Sequence, residues 1–345
     1  MKILITGGAG FLGMHLASYF EIKGHQLTLA DIHDFDKKEY PGNYKLALLD
    51  IRDPKFNNLI RGQDVIIHAA AALPLQSKEE ILSVNITGTK NVLSAAKKYG
   101  VKRIIYISST AVYGVPKRHP IYENDPLVGV GPYGHSKIES ERLCQEAIKK
   151  GQNITIIRPK TFIGTGRLGV FEILFDWVHD GKRIPVIGNG KNRYQLLDVD
   201  DLVEAVYLFT QNNKEAYNDY FNIGAREYQT VEEDLNELFQ FAKSGSTIFH
   251  TPAWPIKKAL WFFEKLKVSP LYQWVYDTAD KDSFVSIDKI CKTLKWKPKY
   301  SNGQAFIKAF KWYQKHYREI KSKSPGLTHT VGWNQGILGF FKKFL

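Results

Sequence analysis

Short apolar runs alternate with stretches of helical period through the first half of the chain. Ile3-Leu4-Ile5, Gln26-Leu27-Thr28-Leu29-Ala30-Asp31, Val65-Ile66-Ile67-His68, Arg103-Ile104-Ile105-Tyr106-Ile107 and Ile154-Thr155-Ile156-Ile157 each have the length and β-branched content of a strand. Another, Tyr220-Phe221-Asn222-Ile223, comes late. Continuous runs of this kind suit strands covered on both faces. Between the first two, Phe11 to Lys23 carries a helical pattern that Gly24-His25 closes. The alternation predicts an α/β fold with a parallel sheet.

Where the first run ends, Thr6-Gly7-Gly8-Ala9-Gly10-Phe11-Leu12-Gly13 places glycines at 7, 10 and 13. Strand, glycine turn and helix in that order make a pyrophosphate site. Glycine permits the tight bend and the close backbone approach, and the helix turns its N–H groups and positive dipole end toward the anion. No Lys-Ser/Thr pair follows the last glycine, so the turn is not a P-loop. The second strand closes on Asp31, about 20 residues past the glycines, where a carboxylate takes ribose hydroxyls and repels a 2′-phosphate. His33, Lys37 and Lys38 lie close by. The pattern predicts NAD rather than NADP on a Rossmann-type doubly wound parallel sheet.

At 345 residues the chain can hold that sheet and a smaller, intertwined C-terminal portion. Residues 1–160 read as the NAD-binding domain, with later strands near 194–224 returning to it. Residues 161–330 read as the substrate-binding portion and 331–345 as an amphipathic tail. Two cysteines, Cys144 and Cys291, make no disulfide framework, and no His/Cys/carboxylate cluster has zinc spacing, so no metal is expected. The chain opens directly on a strand, which predicts no signal peptide, and no apolar run reaches the roughly 20 residues of a spanning helix. The cytoplasm is the expected compartment.

Tyr133-Gly134-His135-Ser136-Lys137 is the second constellation. Residues i and i+4 share a helix face, so phenol and ammonium can meet, and a neighbouring cation favours the phenolate. The pair can then exchange a proton with a substrate hydroxyl or carbonyl. Tyr19/Lys23, Tyr113/Lys117 and Tyr317/Lys321 share the spacing, but only Tyr133 follows a central strand and its loop. That strand runs into Ser108-Ser109-Thr110, whose hydroxyls can align a reacting oxygen.

Taken in order, these segments resemble the extended short-chain dehydrogenases/reductases, the group of NAD-dependent epimerases and dehydratases. Asp50-Ile51, His68 to Ala71, Val84 to Thr89, Ser108 to Gly114, Arg158-Pro159 and Asp198 to Asp201 extend the match over most of the chain. The resemblance implies that Gly7, Gly10, Phe11, Leu12 and Gly13 hold pyrophosphate and that Asp50 and Ile51 meet adenine. Ala69, Ala70 and Ala71 would line the cofactor cleft together with Asn85, and Pro159 would stand beside the nicotinamide. Ser109, three residues before Val112, falls on the family's catalytic Ser/Thr position. Tyr133 is then the acid/base, and Lys137 binds the nicotinamide ribose while tuning the phenol. Helices around Ser77–Tyr99 and Tyr133–Lys150 would pair in a homodimer.

Thr110, Thr161, Arg167, Arg193 and Tyr194 are the candidate substrate residues. Nucleotide-sugar enzymes of the family usually carry Asn where this chain has Thr161 and Arg where it has Tyr194, both for diphosphate. Arg193 is one residue off, which turns a strand side chain to the other face. Asp198 replaces a common histidine. Lys160, Arg167, Lys191 and Arg193 are available as substitutes.

Net charge is +13, and residues 250–345 carry 18 Lys and Arg against 6 Asp and Glu. No zinc-finger, RNP or basic-zipper pattern appears, so nucleic acid is not an expected partner. Ile256, Ala259/Leu260, Phe263 and Leu266 form an apolar stripe ringed by Lys257, Lys258, Lys265 and Lys267. The tail from Trp333 to Leu345 mixes aromatic bulk with two lysines and no acid. Such segments either lie on an anionic membrane surface or dock on their own domain. The substrate is thus read as a nucleotide- or lipid-linked sugar. An apolar alcohol handled by a hydroxysteroid-dehydrogenase-like enzyme is the alternative, and a non-catalytic NAD sensor or scaffold is a third reading.

Overall fold

The computed structural model describes all residues except 37, 167–169, 267, 268, 270, 272 and 323–334, and the side chains of 273 and 274. Arg167, Lys37, Lys267 and the 331–334 part of the expected tail lie outside the described residues. The chain divides into two compact units. One comprises 1–160, 199–223 and 285–297, and the other comprises 161–198, 224–284 and 298–345.

The first unit is built on a seven-stranded sheet. Its strands are β1 (Lys2–Thr6), β2 (Gln26–Asp31), β3 (Lys45–Leu48), β4 (Val65–His68), β5 (Arg103–Ile107), β6 (Ile154–Pro159) and a seventh, Tyr220–Ile223. Every pairing is parallel, and the order from one edge is Tyr220–Ile223, β6, β5, β4, β1, β2, β3. Ile3, Leu4 and Ile5, Ile66 and Ile67, Ile105, and Ile156 and Ile157 are buried, because helices cover both faces of a sheet whose strands are apolar throughout. β3, short and with Leu46 and Leu48 exposed, is an edge strand that the apolar pattern does not announce.

The strand order reverses between β1 and β4, whose last residues, Thr6 and His68, are paired. Ligands of open α/β sheets bind at such a crevice beyond the carboxyl ends of the strands. The glycine turn, leading into helix Phe11–Ile22, and the Ala69–Ala71 segment both leave the sheet there.

The second unit packs helices Val170–His179, Val231–Ala242 and Asn302–Ser322 around Phe175, Leu238, Phe310 and Tyr313. Thr230 and Glu233 form a reciprocal capping box at the start of Val231–Ala242. Two small parallel ribbons complete it, Ile184–Ile187 with Ile248–Thr251 and Phe162–Ile163 with Leu197–Asp198. The described part of the tail docks on this unit. Leu338 and Leu345 pack against the same core, and Gln335 Nε2 and Lys342 Nζ each donate to Asp176 Oδ2 at 2.6 Å. Burial alone would raise the Asp176 carboxyl, but hydrogen bonds from Lys321, Lys342 and Gln335 hold it down at about 2.

Candidate active site

The glycine turn is shaped by backbone contacts that side chains would break. Gly7 has φ +70°, and a Cβ there would stand 2.8 Å from Ala70 N. A Cβ on Gly13 would stand 2.2 Å from Gly7 O, so only glycine lets helix Phe11–Ile22 pack this closely on the turn. Gly10 is the N-cap and supplies no capping side chain, leaving the first helical turn to a ligand anion. Phe11 and Leu12 are buried beneath it. Asp31 ends β2 and braces the turn, since its Oδ2 accepts from Ala9 N at 3.0 Å and its Oδ1 from His33 N at 3.0 Å. Tyr40 Oη adds a hydrogen bond to Gly8 O at 2.6 Å. The cradle fits a dinucleotide pyrophosphate.

A buried polar chain underlies the neighbouring wall. Thr6 Oγ1 accepts from Ala70 N at 3.2 Å and lies 2.7 Å from His68 Nδ1, while His68 Nε2 lies 3.0 Å from Thr89 Oγ1. Burial, with the charge of Lys137 adding to it, lowers the His68 imidazole to about 3, so it stays neutral. This chain sets the position of Ala69–Ala71 against Gly7. Asp50 is held in a fork by Arg52, whose hydrogen bonds lower the carboxyl, and Ile51 is buried against Gly88.

Asn85 sits in a π-helical stretch, Ser83–Gly88, and is fully engaged. Its Oδ1 accepts from Ala72 N at 2.8 Å, and its Nδ2 donates to Ala72 O and to Ser136 Oγ. Ser140 Oγ donates to Asn85 O at 2.7 Å. Asn85 thereby locks helix Gly131–Lys149, which carries Tyr133 and Lys137, onto the cleft wall.

Lys137 is buried and donates through Nζ to Ile107 O at 2.9 Å, and its Nζ lies 5.9 Å from the Tyr133 ring centroid. Burial lowers its ammonium to about 8, so it carries its proton at neutral pH. Directly after Ile107 the adjacent serines diverge. Ser108 is buried and donates to Glu141 Oε1 at 2.5 Å. Ser109 is half-buried and accepts from Ala111 N at 3.1 Å, and no acceptor among the described residues takes its proton. The turn Thr110–Tyr113 lies against the helix at Gly134, where a Cβ would stand 3.1 Å from Ala111 O. Thr110 points inward to Pro159 O at 3.3 Å. Lys137 Nζ is thus fixed at the carboxyl end of β5, the strand that runs into Ser109, and the Tyr133 ring lies beside the lysine.

A support network that the sequence motifs do not display lies beneath them. Glu141 is one helical turn past Lys137 and pairs with Arg158, Nε to Oε1 at 2.9 Å and Nη2 to Oε2 at 2.6 Å, both side chains buried. Arg158 Nη1 donates to Tyr113 Oη at 2.7 Å, and Tyr113 Oη donates to Asn222 Oδ1 at 2.7 Å.

In the second unit Thr161 Oγ1 and Tyr194 Oη lie 3.3 Å apart. Arg193 is turned elsewhere, its guanidinium 4.3 Å from the Phe284 ring centroid. With Arg226 and Tyr228 it lines an open depression of about 550 Å³. Asp198 is buried and receives Lys308 Nζ at 2.7 Å. Among the described residues no group of three or more His, Cys, Asp and Glu side chains could hold a metal ion.

This glycine-turn sheet with a Tyr-Lys helix defines a dinucleotide-dependent enzyme class. Residues 3–224 match the NAD dependent epimerase/dehydratase family, and the chain belongs to it. It is 33% identical to the uncharacterized protein y4nG of Sinorhizobium fredii over 342 residues, 97% of this chain and 84% of that one. It is 30% identical to the N-acetyl-alpha-D-glucosaminyl-diphospho-ditrans,octacis-undecaprenol 4-epimerase of Escherichia coli O157:H7 over 234 residues, 64% of this chain and 66% of that one. The fold matches UDP-glucuronic acid 4-epimerase from Bacillus cereus in complex with NAD, with a TM-score of 0.77 and 21% identity over 92% of this chain and all of that one. The protein is an NAD-dependent enzyme of the extended short-chain dehydrogenase/reductase type, as its motifs predict.

Proposed function

We propose that the enzyme interconverts a secondary alcohol and its ketone on a sugar carried by a diphosphate, either nucleotide- or lipid-linked. The observation that carries the proposal is Lys137 Nζ fixed on Ile107 O, at the end of the strand that runs into Ser109, with the Tyr133 ring 5.9 Å from it. Bound NAD supplies the hydride acceptor and donor. Tyr133, favoured as the phenolate by the Lys137 ammonium, takes the hydroxyl proton and becomes the neutral phenol, and in the reverse direction it gives that proton back to the carbonyl oxygen. Ser109 donates its uncommitted proton to the substrate oxygen and aligns it.

The sugar reading is favoured over an apolar alcohol because a relative of known substrate acts on a diphosphate-linked sugar. A homodimer through the helices of 77–99 and 133–150, and contact of the basic C-terminal region with an anionic membrane, belong to the same reading.

The test is the ratio of NADH formed to product formed on nucleotide-sugar and polyprenyl-diphosphate-sugar panels, read by mass spectrometry. An isomer or dehydrated sugar without NADH supports the proposal, and a ketone with equal NADH makes the enzyme a dehydrogenase. Tyr133→Phe is expected to abolish turnover while NAD affinity stays near wild type. Retained turnover in that variant refutes the role of Tyr133.

A further inference from the structure

Helix Ala253–Lys265 carries apolar residues on two sides. One side is most of the expected stripe and faces inward, with Leu260 buried and Ile256, Ala259 and Phe263 partly covered, whereas Leu266, expected to continue it, is exposed. The other faces solvent. Trp254 is 69% exposed, Trp261 46%, Phe262 54% and Leu266, at the helix end, 55%. At 3.6 residues per turn these four share an arc of about 140° with Lys258 and Lys265. Lys258 Nζ lies 4.3 Å from the Trp254 ring centroid, and Lys265 Nζ lies 3.9 Å from that of Trp261.

The charge on this arc is of one sign. Glu264 accepts from Tyr276 Oη, and Lys257 is paired with Asp280, so both side chains of that flank are engaged within the unit. A second copy of the same face would set Lys258 and Lys265 against like charges. An anionic lipid surface complements them, and indole rings with lysine stems are the side chains that settle at a headgroup boundary. No described helix is long and apolar enough to cross a membrane, so the contact is with the surface.

We infer that this face seats the second unit on an anionic lipid surface, with Trp254, Trp261 and Phe262 at the acyl boundary and Lys258 and Lys265 on lipid phosphates. The inference rests on the membrane contact proposed above and names its face, and its vesicle test does not depend on the reaction proposed for the first unit.

Full-length protein is sedimented with vesicles of phosphatidylcholine and with vesicles of equal parts phosphatidylcholine and phosphatidylglycerol. Binding is expected to the anionic vesicles only, and to weaken with salt. Trp254→Ser/Trp261→Ser and Lys258→Glu/Lys265→Glu are each expected to lower vesicle affinity about tenfold or more, at unchanged NAD affinity and melting temperature. Wild-type protein that stays in the supernatant overturns the inference, as do double variants that bind like wild type. A wild-type dimer that either variant dissociates also overturns it, because the face then belongs to a second copy.

Discussion

Lys160 follows Pro159 at the end of β6, is 2% exposed, and donates its backbone N–H to Ile223 O at 2.9 Å. Burial lowers its ammonium from the ordinary 10.5 to about 7. Lys160→Met keeps the volume of the stem and removes the charge. Below pH 7 native and unfolded chains both hold the lysine proton, and the whole burial cost is present in the wild type. Between 7 and 10.5 the native lysine is neutral while the unfolded chain still binds a proton, so wild-type stability rises with pH by about 1.4 kcal/mol per unit. The gap from 10.5 to about 7 therefore makes the stability of Lys160→Met relative to wild type about 3 kcal/mol more favourable at pH 6 than at pH 9. Urea unfolding at both pH values, followed by circular dichroism, measures the two differences. An advantage of equal size at both would mean that the native lysine keeps its proton, and the argument fails.

Two further substitutions separate the serines. Ser109→Ala is expected to lower kcat about 100-fold while costing only about 1 kcal/mol of stability from the lost bond to Ala111 N, whereas Ser108→Ala leaves Glu141 short of a donor and costs about 1–3 kcal/mol with kcat little changed. Steady-state kinetics and thermal unfolding distinguish them, and the reverse pattern would reassign the catalytic hydroxyl. Gly13→Ala places a Cβ 2.2 Å from Gly7 O and is expected to weaken NAD binding and destabilise by about 2 kcal/mol. Calorimetric titration with NAD checks this, and wild-type affinity would show that the turn tolerates a side chain.

Much of the first unit was legible without a structure because its signals are local. Gln26–Asp31, Val65–His68, Arg103–Ile107 and Tyr220–Ile223 are strands at the residues where the apolar pattern places them. The glycine turn is legible for the same reason, since the φ of +70° at Gly7 and the missing Cβ at Gly13, which would strike Gly7 O and Gly8 O, are requirements set within a few residues. Tyr133 and Lys137 share a face because they lie one helical turn apart.

What tertiary structure decided are the positions whose meaning lies in partners far along the chain. Ser108 and Ser109 are indistinguishable as letters until Glu141, 33 residues away, takes the proton of one of them. Asn85 matches a cofactor-cleft motif, yet its amide closes on Ala72 and Ser136, and Glu141 becomes intelligible only through Arg158 and the buried pair they form. Helix Ala253–Lys265 shows the same division. Periodicity finds an apolar stripe, but a helix with hydrophobic residues on both sides can bury only one of them, and packing against the rest of the unit chose the side of Leu260. That choice put Trp254 and Trp261 in solvent. Local sequence determines which backbone shapes are affordable, and long-range packing determines which side chains are covered, paired or left to meet a partner.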